Sequence, residues 1–206
     1  MKIIEPRVEF LYPSSPEEWI KECKLIELAA RNCYKSEDKI TDDSWKKFVK
    51  MLVTKHHDAM IEFGNFVVRI ITDRGITHET IRHRLASYAQ ESTRWINYSK
   101  EKFGKEISTI LPSEIKTGTK GFDIWQKAMT AAEEAYFALL EEKYTPQTAR
   151  SVLPTCTKTD IIMKCNFREL IHIIKMRTSE AAHPDIIIVF SEIRKRCKEM
   201  LPEIFE

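Results

Sequence analysis

Glycine is scarce in this chain of 206 residues, with five in all, and neither a GxGxxG nor a Walker A motif occurs. In Rossmann and P-loop proteins the glycine-rich loops of these motifs hold the phosphates of a nucleotide. Both kinds of nucleotide site are therefore disfavoured. A GxSxG motif is missing too, so neither Ser87 nor Ser92 lies in the nucleophile elbow of a hydrolase.

Patterns typical of disulfides and metal sites are also missing. Five cysteines occur, an odd number, and no two of them have CxxC spacing. His56 and His57 are adjacent and His78 and His83 are five apart, so neither pair lies on one helix face as in HExxH. We therefore expect no metal site, and reduced, mostly buried thiols as in a cytoplasmic protein.

Long hydrophobic runs and an excess of one charge are both lacking. No stretch approaches the ~20 apolar residues of a membrane helix, and residues 1–10 lack the apolar core of a signal peptide. The 33 basic and 31 acidic residues give a formal net charge of +2, so binding of an anion would depend on local clusters. The balance of 43% hydrophobic and 31% charged residues is typical of a soluble globular protein.

The hydrophobic pattern and the helix-start signals predict an α+β fold. Ser15, Pro16 and Glu18 mark a helix start with a capping box, and this helix runs to about Asn32. We further expect strands over residues 3–11, 63–72 and 157–165, with the second buried on both faces, and helices from about 41–43, over 77–85, 120–143 and 166–177, and from 184.

The region 120–143 is the clearest amphipathic helix in the chain. Its predicted apolar stripe consists of Phe122, Trp125, Met129, Ala132, Tyr136 and Leu139. Residues 88–99 are expected to be extended or irregular.

Residues 82–94, with the sequence RHRLASYAQESTR, form the densest polar cluster and follow the predicted buried strand. Arginine side chains bind phosphate through two parallel hydrogen bonds. On a helix, Arg82 and Arg84 would point about 200° apart and so contact different groups. A solvated basic face is the alternative interpretation.

A second polar cluster consists of Asn166, Arg168, His172 and Arg177. As a helix N-cap, Asn166 would leave backbone N–H groups available to an anion. Arg177 at the other end of the same helix would interact favourably with the helix dipole. Arg150, within residues 145–153, is a third candidate.

The motif Arg82-His83-Arg84, followed after seven residues by Ser92 and then by Arg94, resembles the signature of flavin-dependent thymidylate synthases. The resemblance extends over roughly residues 20–200 and includes further segments in the same order. These are His57 and Glu62, the segment ARSVLP over 149–154, the pattern N-x-R at Asn166 and Arg168, then His172, Arg177 and the pair Asp185-Ile186.

The resemblance implies specific roles for residues in both polar clusters. Arg177 would be catalytic, polarising the uracil ring and favouring ionisation at N3. The residues that would contact FAD are Arg82, His83, Arg84, Gln90, Asn166, Arg168 and His172. Those that would surround dUMP are Glu79, Arg82, Gln90, Ser92, Arg94, Arg150 and Arg177.

The resemblance also implies a reaction and an assembly. NADPH and methylene-tetrahydrofolate would be co-substrates in the methylation of dUMP to dTMP, without a nucleophile from the protein. The family fold implies one α/β domain over residues 1–206, with a central mixed sheet and flanking helices. A cytoplasmic homotetramer with active sites shared between subunits would result, with neither nucleic acid nor a membrane as partner.

Two departures from the family pattern leave other interpretations open. Ala89-Gln90 stands where the family has Asn-Glu, with Glu91 as the adjacent carboxylate, and His78-Glu79 stands where it has Arg-Gln. A flavoprotein of the same fold with altered chemistry is one alternative. Another is a nucleic-acid-binding module that stacks bases on Tyr88 and Trp95.

Overall fold

Six strands and eight α-helices occur along Met1–Phe205, the residues that the computed structural model describes. The strands are Lys2–Ile4 (β1), Arg7–Tyr12 (β2), Asn65–Asp73 (β3), Ser87–Gln90 (β4), Ser108–Ile110 (β5) and Lys158–Asn166 (β6). The helices are Pro16–Asn32 (α1), Ser44–Thr54 (α2), Asp58–Ile61 (α3), Arg74–Thr80 (α4), Lys120–Glu141 (α5), Pro146–Ala149 (α6), Phe167–Arg177 (α7) and Pro184–Met200 (α8). The predicted α+β class is confirmed.

The strands form two sheets. One has four strands in the order β2-β3-β6-β4, and the other pairs β1 with β5 in parallel, with Lys2 opposite Ser108. Strands β3 and β6 are antiparallel. Phe167 N donates to Gly64 O at the start of β3, and Arg74 N donates to Thr157 O just beyond its end.

The chain folds as two compact units, each built from several segments of the sequence. The first unit contains residues 1–7, 70–82 and 89–161, and the second contains residues 8–69, 83–88 and 162 onward. The expectation of one domain over the whole chain stays a prediction.

The core of the second unit is aromatic. The ring of Trp19 stacks on Phe167 with centroids 5.4 Å apart, and Phe10 meets Phe66 edge-on at 4.9 Å. Gly64 is required beside this cluster, because a Cβ there would lie 2.4 Å from the Phe167 ring. This packing positions the start of α7, and the predicted site residues Asn166, Arg168, His172 and Arg177 lie on this helix or at its N-cap.

The start of α1 differs in one detail from the predicted capping box. Helix α1 begins at Pro16, and its N-cap Ser15 accepts from Glu18 N as predicted. The Glu18 carboxylate, however, accepts from the backbone N and hydroxyl of Ser14 at 2.7 and 2.9 Å. The reciprocal bond is thus made one residue earlier than predicted.

The core of the first unit consists of Tyr98, Ile107, Tyr136 and Ala149. Of the stripe predicted for α5, only Tyr136 is fully buried. The amphipathic pattern therefore predicted the position of the helix correctly, but fewer residues of its apolar stripe are buried than the pattern suggested.

The segment after β3 differs most from the sequence prediction. The predicted helix over 77–85 is instead α4, which begins at Arg74 and ends at Thr80. Arg82 and Arg84 lie in turns beyond it and not on a helix, so the predicted helical separation of their side chains was wrong. Strand β4 includes residues 88–90 of the region expected to be extended or irregular, in agreement with the extended alternative.

Among residues 1–205, no helix has the length and apolar character needed to cross a membrane. The five cysteines are free thiols, of which Cys23, Cys165 and Cys197 are buried and Cys33 is exposed.

Candidate active site

The predicted site residues fall into two groups, one in each unit. Glu79, Arg82, Gln90, Ser92, Arg94 and Arg150 belong to the first unit, and His83, Arg84, Asn166, Arg168, His172 and Arg177 belong to the second. The motif Arg-His-Arg is itself divided, because the chain passes from the first unit to the second between Arg82 and His83.

In the first unit, a cavity of about 520 Å³ lies beside Arg150. Ala149 is fully buried and anchors the end of α6, so that Arg150 follows at the surface. Arg150 Nη1 donates to Thr93 Oγ1 at 3.3 Å, and Arg94 Nε donates to Gln147 Oε1 at 3.0 Å. The residues that line the cavity are Arg74, His78, Thr93, Gln147, Arg150, Ser151, Leu153, Pro154 and Thr155.

The side chains that line this cavity give it a positive charge. Arg74 and Arg150 contribute guanidinium groups, and no acidic side chain of the described chain is among the lining residues. Arginine donors with hydroxyl and amide groups nearby suit a phosphate. The prediction did not select Arg74 or His78, although their spacing of four residues just after a strand was the available signal.

Gln90 is held in one orientation by two threonine hydroxyls. Its Nε2 donates to Thr77 Oγ1 at 2.8 Å and to Thr159 Oγ1 at 3.1 Å. Thr77 Oγ1 in turn donates to Arg74 O at 3.0 Å, so this hydroxyl must accept from the amide. Both hydrogen bonds use the amide N–H donors of Gln90, which a carboxylate at position 90 would lack.

Glu91 has a structural role within the first unit. Its carboxylate accepts from Tyr98 Oη at 2.9 Å and from Lys158 Nζ at 2.8 Å. Burial, together with the negative charge of Glu91, raises the pKa of Tyr98. Both oxygens of the Glu91 carboxylate are thus bound by side chains of this unit.

In the second unit, the fold brings His83 and Arg177 together. Arg177, the last residue of α7, donates through Nε to His83 Nε2 at 2.9 Å. His83 Nδ1 lies 3.6 Å from Glu169 Oε1, and Tyr88 Oη donates to His83 O at 3.0 Å. His83 is buried, whereas Arg177 is partly exposed.

The environment of His83 keeps it neutral. Burial and then the positive charge of Arg177, with His172 also contributing, lower its pKa to about 4. An imidazole that accepts at Nε2 carries its proton on Nδ1, the nitrogen that faces Glu169. Burial in turn raises the pKa of Glu169.

Two backbone N–H groups at the start of α7, where the sequence predicts an anion site, already have acceptors within the fold. Asn166 Oδ1 accepts from Glu169 N at 2.8 Å, and Phe167 N donates to Gly64 O at 2.9 Å. The fold itself therefore uses two of the N–H groups in the first turn. The anion site at this helix start stays a prediction, which now depends on the remaining N–H groups of the first turn.

Arg168 and His172 do share a cavity of about 400 Å³ in the second unit. Arg168 Nη1 contacts Glu62 Oε1 at 2.6 Å in an exposed ion pair. His172 and Arg84 are exposed, as are Arg82 and Arg94 in the first unit. The cavity is lined by Val53, His56, Asp58, Ile61, Arg168, Ile171, His172, Lys175 and Ile204.

Four of the five thiols are poorly suited to nucleophilic attack. Burial raises the pKa of Cys23, Cys156 and Cys197, and it raises that of Cys165 to about 12. The thiolate is the reactive form, so these groups are mostly in the unreactive form near neutral pH. Over Met1–Phe205, no three His, Cys, Asp or Glu side chains are grouped so as to hold a metal ion.

An α+β chain with two arginine-bearing cavities and a buried histidine beside an arginine is a candidate for binding anionic ligands. The family model described as "Thymidylate synthase complementing protein" (Thy1) matches residues 17–203. The chain belongs to this family.

Relatives and a solved structure agree with this membership. A protein of Geobacter sulfurreducens named flavin-dependent thymidylate synthase is 30% identical over 187 residues, covering 87% of this chain and 79% of the relative. One of the same name from Pyrococcus abyssi is 30% identical over 194 residues, covering 94% and 76%. The UMP/dUMP methylase PolB from Streptomyces cacaoi, solved with 5-Br dUMP, is 19% identical with a TM-score of 0.80, covering 100% of this chain and 95% of that one. PolB and this chain therefore share a fold.

Proposed function

We propose that the protein is a flavin-dependent thymidylate synthase, a methyltransferase that converts dUMP to dTMP by reductive methylation. The observation that carries this proposal is the hydrogen bond between Arg177 and His83, because it joins two parts of the motif pattern that lie 94 residues apart. The family and the names of the relatives support the same activity. The ligand named for the methylase of the same fold supports dUMP as substrate.

The cavity in the second unit fits a flavin dinucleotide by its chemistry. Its apolar walls, which include Ile61 and Ile171, suit the faces of flavin and adenine rings, and Arg168 suits a pyrophosphate. Of the residues proposed to hold FAD, Arg168 and His172 line this cavity. The others are His83, Arg84 and Asn166 in the same unit and Arg82 and Gln90 in the first unit. When bound, reduced flavin supplies hydride for the methylation.

Arg177 has the role of activating the uracil ring. The C5 atom of uracil accepts a one-carbon unit more readily when negative charge develops at N3. A guanidinium cannot accept a proton, but its fixed N–H donors stabilise such an anion. His83 accepts from Nε and so orients the guanidinium.

The remaining substrate contacts are assigned to the first unit. Arg94, Arg150 and Ser92 would bind dUMP with Glu79, Arg82 and Gln90. No thiol attack on uracil is required, in agreement with the raised thiol pKa values of the buried cysteines.

The proposed function also includes two co-substrates, a homotetrameric assembly and a cytoplasmic location. NADPH would reduce the flavin, methylene-tetrahydrofolate would donate the one-carbon unit, and the enzyme would work as a cytoplasmic homotetramer. Exposed apolar side chains support assembly, since Tyr34, Leu85 and Trp95 are 82%, 78% and 80% exposed.

Visible absorbance and FAD titration test the proposal. We expect the purified protein to be yellow, or to bind added FAD, and to form dTMP in the complete mixture. A colourless protein that binds no FAD but binds oligonucleotides in a salt-sensitive way would support a nucleic-acid-binding module instead. A yellow protein that forms no dTMP would point to altered chemistry.

A further inference from the structure

Arg74 and His78 belong to the cavity of about 520 Å³ in the first unit, although neither is among the residues that the family motifs select. They are four residues apart in α4, so both side chains lie on one face of the helix. Arg150 lines the same cavity from the segment after α6. Two guanidinium groups and an imidazole thus border one space.

Both arginines retain donor capacity for a ligand. Arg74 Nη1 makes long contacts of 3.3 Å to Thr159 Oγ1 and 3.4 Å to Glu91 O, and Arg150 Nη1 makes one of 3.3 Å to Thr93 Oγ1. A guanidinium has five N–H donors, so these contacts leave most of them available. The Glu91 carboxylate, two residues before Thr93 in the sequence, is bound by Lys158 and not by either arginine.

The backbone of Arg74 is fixed in relation to the cavity. Arg74 N donates to Thr155 O at 2.9 Å, and Thr155 also lines the cavity. Asp73 caps α4 by accepting from Ile76 N at 2.8 Å. An arginine held in this way offers donors at a defined position, which favours recognition of a compact anion.

We propose that Arg74 binds the phosphate of dUMP together with Arg150, and that it provides the guanidinium that His78 lacks. His78 stands where the family pattern has arginine, and Arg74 lies one helical turn before it in the same cavity. A phosphate dianion is the ligand whose charge best matches two arginines in a lining that, over residues 1–205, contains no acid. This inference rests on the proposed function, since it specifies how the same substrate is held.

Four variants of the complete, FAD-loaded enzyme test this inference. Arg74→Gln removes the charge, Arg74→Lys keeps it without the forked donors, and Arg74→Gln with His78→Arg moves the arginine by one turn. Arg194→Gln, at an exposed arginine on α8 in the second unit, is the matched control. The measurements are KM for dUMP, for methylene-tetrahydrofolate and for NADPH, and the affinities of dUMP and of deoxyuridine, which lacks the phosphate.

Arg74→Gln should raise KM for dUMP by about tenfold or more, the loss expected for one charge-assisted contact. Its affinity for deoxyuridine and its flavin content should stay at wild-type levels, which also shows that the variant is folded. The double variant should recover much of the dUMP affinity, Arg74→Lys should be intermediate, and Arg194→Gln should match the wild type.

Other results would overturn the inference. A wild-type KM for dUMP in Arg74→Gln would do so, as would an equal loss of dUMP and deoxyuridine affinity. A rise confined to KM for the folate or NADPH would overturn it too, by assigning the cavity to the anion of that co-substrate. A wild-type protein that bound neither flavin nor dUMP would instead contradict the proposed function itself.

Discussion

Arg177 Nε donates to His83 Nε2 at 2.9 Å, which joins the end of α7 to the Arg-His-Arg motif. A basic side chain at this position was also expected to act simply as a favourable charge at the end of a helix. Its contact with a buried, neutral imidazole instead gives the guanidinium a defined orientation. That orientation supports the assignment of Arg177 to uracil activation.

Arg177→Lys should lower dTMP formation by about a hundredfold or more, the range seen on losing one such transition-state donor. Lysine cannot donate to His83 while also presenting a planar set of donors to the uracil. The measurement is the turnover rate of a folded, FAD-loaded variant. Lysine serves a helix C-terminus as well as arginine does, so near-normal turnover would mean that Arg177 only stabilises the end of α7.

The pKa of His83 predicts a loss of stability in mild acid. Because that pKa is lowered to about 4 from an ordinary 6.5, the unfolded chain binds a proton between these values that the folded chain does not. The contribution of His83 is therefore fully present above about pH 6.5 and is lost as the pH falls towards 4. At about pH 5 the loss is about 2 kcal/mol.

Urea unfolding at about pH 7 and about pH 5 measures this effect in the wild type and in His83→Gln. Glutamine can still accept from Arg177 but does not titrate, so the variant should lose less stability between the two pH values. Glu169, whose own raised pKa gives the opposite dependence on pH, is present in both proteins and so largely cancels in the comparison. His57→Gln, at an exposed histidine, should behave like the wild type, and an unchanged acid response in His83→Gln would contradict the prediction.

Single replacement of each cysteine by alanine should leave dTMP formation largely intact. Cys23, Cys165 and Cys197 are buried, so their variants should lose about 1–2 kcal/mol of unfolding free energy through the space left behind. The exposed Cys33 is the control for stability and should show no loss. Abolished turnover in any folded variant would indicate covalent catalysis by that thiol.

Light scattering should give a mass four times that of the 24.2 kDa chain. The physical reason is the exposure of Tyr34, Leu85 and Trp95, which is costly in water and is relieved by assembly. A monomer with full activity would exclude shared active sites.

Local signals predicted much of the fold. Pro16 and Asn166 mark helix starts at α1 and α7 as expected, and the β-branched run over β3 forms a strand. The end of α4 was missed. There the hydroxyls of Thr77 and Thr80 donate back to the carbonyls of Arg74 and Ile76, which competes with continued helix.

The sequence suggests which residue types form the candidate site, and their roles stay predictions, but it does not predict the contacts between them. The bond between His83 and Arg177 spans 94 residues, and no local pattern encodes such a pairing. The hydrogen bond from Phe167 N to Gly64 O likewise joins two segments that are distant in the sequence. The spacing of Arg74 from His78 was a signal in the sequence, but only the fold places Arg74 beside Arg150.

Formation of dTMP by the purified, FAD-loaded protein tests the central claim most directly. The reaction contains dUMP, methylene-tetrahydrofolate and NADPH, and mass spectrometry of the nucleotide detects the product. We expect dTMP to form only when flavin and all three substrates are present, and to form still when each cysteine is replaced in turn. A flavin-loaded wild-type protein that leaves dUMP unchanged in the complete mixture would contradict the assigned activity.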